Sequence, residues 1–118
     1  MNQREIVLIG AARTPIGRFG GVFRETPAHS LAAVATKCAL ERAGVRADEV
    51  DEVVMGQVGQ VGPDAFNARR VLIEAGIPVT ATALNVNRLC GSGLQAIWSA
   101  EQSIRLGHAT RRFNAHSA

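Results

Sequence analysis

Tyrosine is missing from this chain, tryptophan and lysine occur once each, and cysteine only twice. Aromatic residues make up 4% of the 118 positions. A nucleic-acid surface clusters its basic residues and interleaves them with stacking rings, so the scattered arginines behind the formal charge of +3 point away from nucleic acid. Two cysteines, Cys38 and Cys90, make no disulfide framework, and neither stands in a zinc-type spacing. With only three histidines beside them, no metal site is expected. No apolar run reaches the ~18 residues that a membrane span needs. The start, "MNQREIVLIGAA", is not followed by a small-residue cleavage site. The expected setting is reducing and cytoplasmic, with no membrane association.

What is present is ordinary globular composition, 47% hydrophobic and 19% charged, enough for one domain with a modest core. The run "IVLIGAA" at residues 6–12 is continuously apolar, which predicts a strand buried on both faces, the habit of parallel sheets. A glycine-rich loop, "RTPIGRFGG", leads to a first helix with Thr26 as N-cap, Pro27 at its first position and Gly44 past its end. Leu31, Val34, Ala35 and Cys38 fall on one face of it at helical spacing. Residues 51–58, "DEVVMGQV", predict a second strand, and residues 65–75 a second helix stopped by Gly76 and Pro78. Residues 81–87, "ATALNVN", predict a third strand. A third helix starts at the glycines after Cys90 and runs to Leu106, ending at Gly107. Such alternation means βαβ units and a mostly parallel sheet. The third helix carries bulky Leu94, Ile97, Trp98 and Ile104 beside small Ala96, Ala100, Ser103 and Gly107. One face is expected on the sheet and the other against a further helix.

Cys90 stands out because it occupies the turn between the third strand and the third helix, in "NVNRLCGSGLQA". A sulfur at a helix N-terminus meets the positive end of the macrodipole, which favours the thiolate, the form that attacks acyl carbonyls. Gly91 and Gly93 would allow the sharp turn of a nucleophile elbow, and amides of the first helical turn could stabilise an oxyanion. From the residues alone, a buried structural cysteine in a glycine-rich turn fits equally well. Cys38, in mid-helix with no glycine beside it, reads as packing. Other motifs fail on spacing. "GQVGQVG" is not a dinucleotide fingerprint, the turn after the first strand holds only Gly10, and the single lysine, Lys37, lies inside a helix. His29 reads as a surface or packing residue, and His108 and His116 carry no role.

"VNRLCGSGLQA" resembles the nucleophile segment of thiolases, the acetyl-CoA acyltransferases. The likeness continues in "IVLIGAARTPIGRFGG", "TPAHSLAAVATKCALERAGV", "DEVVMGQV" and "NARRVLIEAGIPVTATALNVN", in register from residue 5 to 107. It implies an α/β fold, an incomplete thiolase-like N-terminal βαβαβα segment with a mostly parallel sheet and helices on both faces. It implies that Cys90 is the acyl-thioester nucleophile of a Claisen condensation to acetoacetyl-CoA, or of thiolytic cleavage of a 3-ketoacyl-CoA. Coenzyme A thioesters would be the substrates, with no permanently bound cofactor. A homodimer or tetramer is implied for the full-length protein, with "ALNVN" pairing across the dimer. A β-ketoacyl synthase shares the fold, but "CGSG" argues against it. A non-catalytic remnant or interaction fragment is the alternative from another class.

Two departures accompany the resemblance. Phe66-Asn67-Ala68-Arg69 stands where thiolases show Asn-Pro-Ala-Arg, so the second helix is expected to start differently. After residues 1–107, taken as a partial thiolase-like domain, residues 108–118 read as a polar, non-matching tail from truncation or frame change. The family's later histidine, asparagine and second cysteine have no counterpart here, so the 118 residues alone are expected to be inactive. The family's strand order also sets the first strand mid-sheet, which would leave residues 6–12 an unpaired apolar edge.

Overall fold

The computed structural model describes residues 5–108 and 112–116. Helix α1, Ala28–Ala43, follows Pro27 and ends at Gly44, whose left-handed φ of 67° lets the next amides turn back to Glu41 and Leu40. Strand β1, Glu52–Gly56, leads through a 3-10 turn, Gly62–Phe66, into helix α2, Asn67–Glu74. Strand β2 is Thr82–Val86, helix α3 is Ser92–Arg105, and strand β3 is Arg112–His116. The strands form one parallel sheet in the order β2-β1-β3, with Val54 opposite Leu84 of β2 and Asn114 of β3. Both connections carry a helix, as parallel neighbours require.

Period-two alternation along β1 separates the two sides of the sheet. Val53 and Met55 join Ala32 and Leu40 of α1 and Ala68, Val71 and Leu72 of α2 in the main core. Val54 faces the other way and packs with Ala96 and Ala100 of α3. Helices therefore cover both faces of an α/β sheet, as the sequence implied. The second helix starts at Asn67. The 3-10 turn precedes it, and Asn85 of β2 ties the junction by donating to the Ala65 carbonyl at 3.1 Å and accepting from the Ala68 amide at 2.9 Å.

Two expectations are corrected. Residues 6–12 form no strand, and Val7, Leu8 and Ile9 are 63%, 76% and 59% exposed. A strand needs a ladder partner, and both edges of β1 are occupied, by β2 and β3. The segment instead lies on α1. Arg42 Nη1 donates to the Ala11 carbonyl at 2.7 Å. Gly10, at φ +72°, comes so close that a Cβ there would sit 2.6 Å from the Ala39 carbonyl oxygen. A cavity of about 1360 Å3 opens between this segment, α1 and α3. Residues 112–116 form the third strand. The buried face of α1 is Ala32, Ala33, Thr36, Ala39 and Leu40, not the face predicted. Val34 is exposed, while Cys38 is half-buried. On α3 the small residues meet the sheet, and Leu94 and Trp98 are left in solvent.

Candidate functional site

The turn that carries Cys90 is built from β2 outward. Asn87, one residue past the strand, accepts a hydrogen bond from the Leu89 amide on its Oδ1 at 3.0 Å, a local side-chain turn that pulls the chain off the sheet. Leu89 then takes a left-handed φ of 47°, the one non-glycine residue with positive φ among those described. A leucine there works against its own Cβ, at a cost of roughly 1–2 kcal/mol. The Gly91 amide bonds back to Arg88 at 3.0 Å and the Ser92 amide to Leu89 at 3.1 Å, closing the turn into α3. Gly91 caps the helix without a side-chain acceptor, and of the first amides of α3 that of Ser92 is taken by the Leu89 carbonyl.

Cys90 lies inside this turn and is exposed, which separates it from a buried structural cysteine. The glycines do less than the sequence suggested, since the left-handed step falls on Leu89 while Gly91 has φ −91°. Two residues that no sequence motif singled out hold the turn. The Ser92 side chain is fully buried; its Oγ accepts from the Arg88 amide at 2.8 Å and donates to the Leu89 carbonyl at 2.7 Å. Gly56, ending β1, lies so near the start of α3 that a Cβ would stand 2.6 Å from the Ser92 carbonyl carbon and 2.8 Å from the Gly93 nitrogen. Outside the turn, Arg88 Nη1 donates to Gln95 Oε1 at 2.7 Å, tying the loop to the first turns of the helix.

The remaining sequence candidates lie elsewhere. His29 Nδ1 is 2.6 Å from Glu74 Oε2, which also accepts from Ser30 Oγ at 3.2 Å, so His29 joins the start of α1 to the end of α2. The hydrogen bond with His29 holds the Glu74 carboxyl below its ordinary value. His108 is exposed, and the side chain of His116 lies outside the described residues. The large cavity is not lined by Cys90. Among the described residues no group of three or more His, Cys, Asp or Glu could hold a metal ion, and no helix is long and apolar enough to cross a membrane.

An exposed thiol on a strained strand-to-helix turn, just ahead of a helix with no side-chain cap, can accept an acyl group. The thiolase N-terminal domain matches residues 6–111. An acetyl-CoA acetyltransferase of Rhizobium meliloti (strain 1021) is 49% identical over 109 residues, covering 92% of this chain and 28% of its own length. That of Syntrophomonas wolfei is 45% identical over 106 residues, covering 90% of this chain and 27% of its own length. The chain thus spans about a quarter of the length of the relatives it matches. The crystal structure of human mitochondrial 3-ketoacyl-CoA thiolase in complex with CoA superposes with a TM-score of 0.80 at 42% identity, over 85% of this chain and 26% of that one. The structure of the S. wolfei acetyl-CoA acetyltransferase gives 0.81 at 35% identity, over 92% and 27%. With nine-tenths of its residues inside that match, and the fold and turn to go with it, the chain belongs to the thiolase family.

Proposed function

We propose that this chain serves acyl transfer from coenzyme A thioesters, with Cys90 as the residue that takes the acyl group. The observation that carries the reading is the exposed Cys90 on the strained Leu89 turn just before α3, which has no side-chain cap. In the proposed step the Cys90 sulfur, as thiolate, adds to the carbonyl carbon of an acyl-CoA, and the carbonyl electron pair moves onto oxygen. Amides of the first turn of α3 stabilise that oxyanion. Collapse expels the coenzyme A sulfur, which takes up the proton that Cys90 gave away, and the acyl group stays on Cys90 as a thioester.

Condensation to acetoacetyl-CoA, or cleavage of a 3-ketoacyl-CoA, needs a second thiol, and the resemblance also implies a histidine that takes the proton of Cys90. The resemblance assigns these to segments with no counterpart in the 118 residues, so acyl acceptance is the part of the reaction proposed for them. The dimer or tetramer belongs to the same proposal. It is supported by the position of β2, which stands at an edge of the sheet with one side open to a further strand. A cytoplasmic location is proposed with it, consistent with two cysteines that both stay free.

The test is competitive alkylation. Iodoacetamide at neutral pH, with peptide masses read over time, should modify Cys90 well ahead of the half-buried Cys38. Equal slow rates at the two cysteines in a folded sample would overturn the reading.

A further inference from the structure

The Ser92 hydroxyl is fully buried two residues after Cys90, and both of its hydrogen bonds go to the backbone just before that cysteine. It accepts from the Arg88 amide at 2.8 Å and donates to the Leu89 carbonyl at 2.7 Å. A strained residue such as Leu89, at φ 47°, persists only where its surroundings over-determine it. Ser92 is itself fixed from behind, because the end of β1 at Gly56 touches the Ser92–Gly93 peptide with no room for a Cβ.

We infer that Ser92 is a positioning residue for Cys90: its hydroxyl locks the Arg88–Leu89 turn and so fixes the backbone that presents the cysteine ahead of α3. The inference rests on the reading of Cys90 as acyl acceptor and names what holds it in place. Ser92 itself touches no substrate. Without the hydroxyl, the Arg88 amide loses its partner and the Leu89 carbonyl keeps only the Ser92 amide, so the hold on the Leu89 φ weakens and the turn that carries Cys90 loosens.

The experiment uses the whole chain as wild type, Ser92→Ala and Ser92→Thr, with iodoacetamide rates read separately at Cys90 and Cys38. Ser92→Ala should slow Cys90 about fivefold, the scale on which a helix end acts on one anion. Cys38 should change less than about twofold, since a role limited to overall stability would move both cysteines. Ser92→Thr, which keeps the hydroxyl, should restore most of the Cys90 rate. An unchanged Cys90 rate in Ser92→Ala overturns the inference, while the acyl-acceptor reading stands as long as wild-type Cys90 outpaces Cys38. Equal wild-type rates with a further drop at Cys90 in Ser92→Ala would overturn that reading and keep the positioning role. Should Ser92→Ala unfold, seen as Cys38 reacting as fast as Cys90, Ser92→Thr decides. If it is folded and fast at Cys90, it supports the inference; if it is folded and slow there, it overturns it.

Discussion

At the scale of single residues, the cysteine turn depends on close approach between β1 and α3. Gly56 is the clearest case, because a methyl group at that position would meet only the backbone of Ser92 and Gly93, which cannot rotate aside. Gly56→Ala is therefore expected to cost roughly 1–3 kcal/mol, as overpacking does. Urea unfolding reads the loss, and an unchanged midpoint would mean that α3 stands off from β1. In the core, Leu72→Ala removes a fully buried side chain between α2 and β1 and is expected to cost about 2–5 kcal/mol, a large share of a domain's ~5–15 kcal/mol. The place of Cys90 was legible in the sequence, since a cysteine followed by glycines between strand and helix patterns has few structural settings. Its support was not. Nothing in the letters of "RLC" marks Leu89 as left-handed, because that φ is imposed by Asn87 in front and Ser92 behind.

At the scale of elements, the helix ends read well, although the N-cap of α1 is Pro27 rather than Thr26, and the partners of strands did not. Gly44, Gly76 and Gly107 all have positive φ at or just past the helix ends, where an absent Cβ is what the turn needs. The face of α1 was misread because its alanines surround the helix and give little contrast between sides. Residues 6–12 look like a buried strand, yet a strand exists only with a partner, and the edge of β1 is held by β3. Deleting residues 112–118 frees that edge. Hydrogen exchange at Val7, Leu8 and Ile9 should then slow as the apolar run takes the vacated ladder, and unaltered exchange would show no competition for it. On α3, Ala96→Leu should destabilise by about 1–3 kcal/mol because Ala96 lies against Val54, while Trp98→Gln, in solvent, should stay within about 0.5 kcal/mol. The link between α1 and α2 responds to pH. The Glu74 carboxyl is held below its ordinary value of 4.5, so it stabilises the fold at neutral pH and loses that effect as pH falls through and beneath 4.5. The pair is partly exposed, and Glu74→Gln should cost no more than about 1 kcal/mol at neutral pH and make little difference in acid.

At the scale of the whole molecule, the sheet is sound on the side of α2 and open on the side of the N-terminal segment. Leu8, Ile16, Phe19 and Val22 all stand exposed there, beside the large cavity under α3. Exposed apolar side chains favour association, so light scattering should rise with concentration and fall in Leu8→Lys. Family and fold class were legible over nine-tenths of the chain because the apolar runs, caps and the cysteine turn keep one register. The partner of the N-terminal segment was not, since it depends on which strand wins the edge of β1. The central claim, that Cys90 takes an acyl group from a coenzyme A thioester, is tested most directly by incubating the chain with acetyl-CoA and weighing its peptides. One acetyl group is predicted on the peptide holding Cys90, none on that holding Cys38, and none at all in Cys90→Ala. An unlabelled Cys90, or equal labelling of the two cysteines in folded protein, would contradict it.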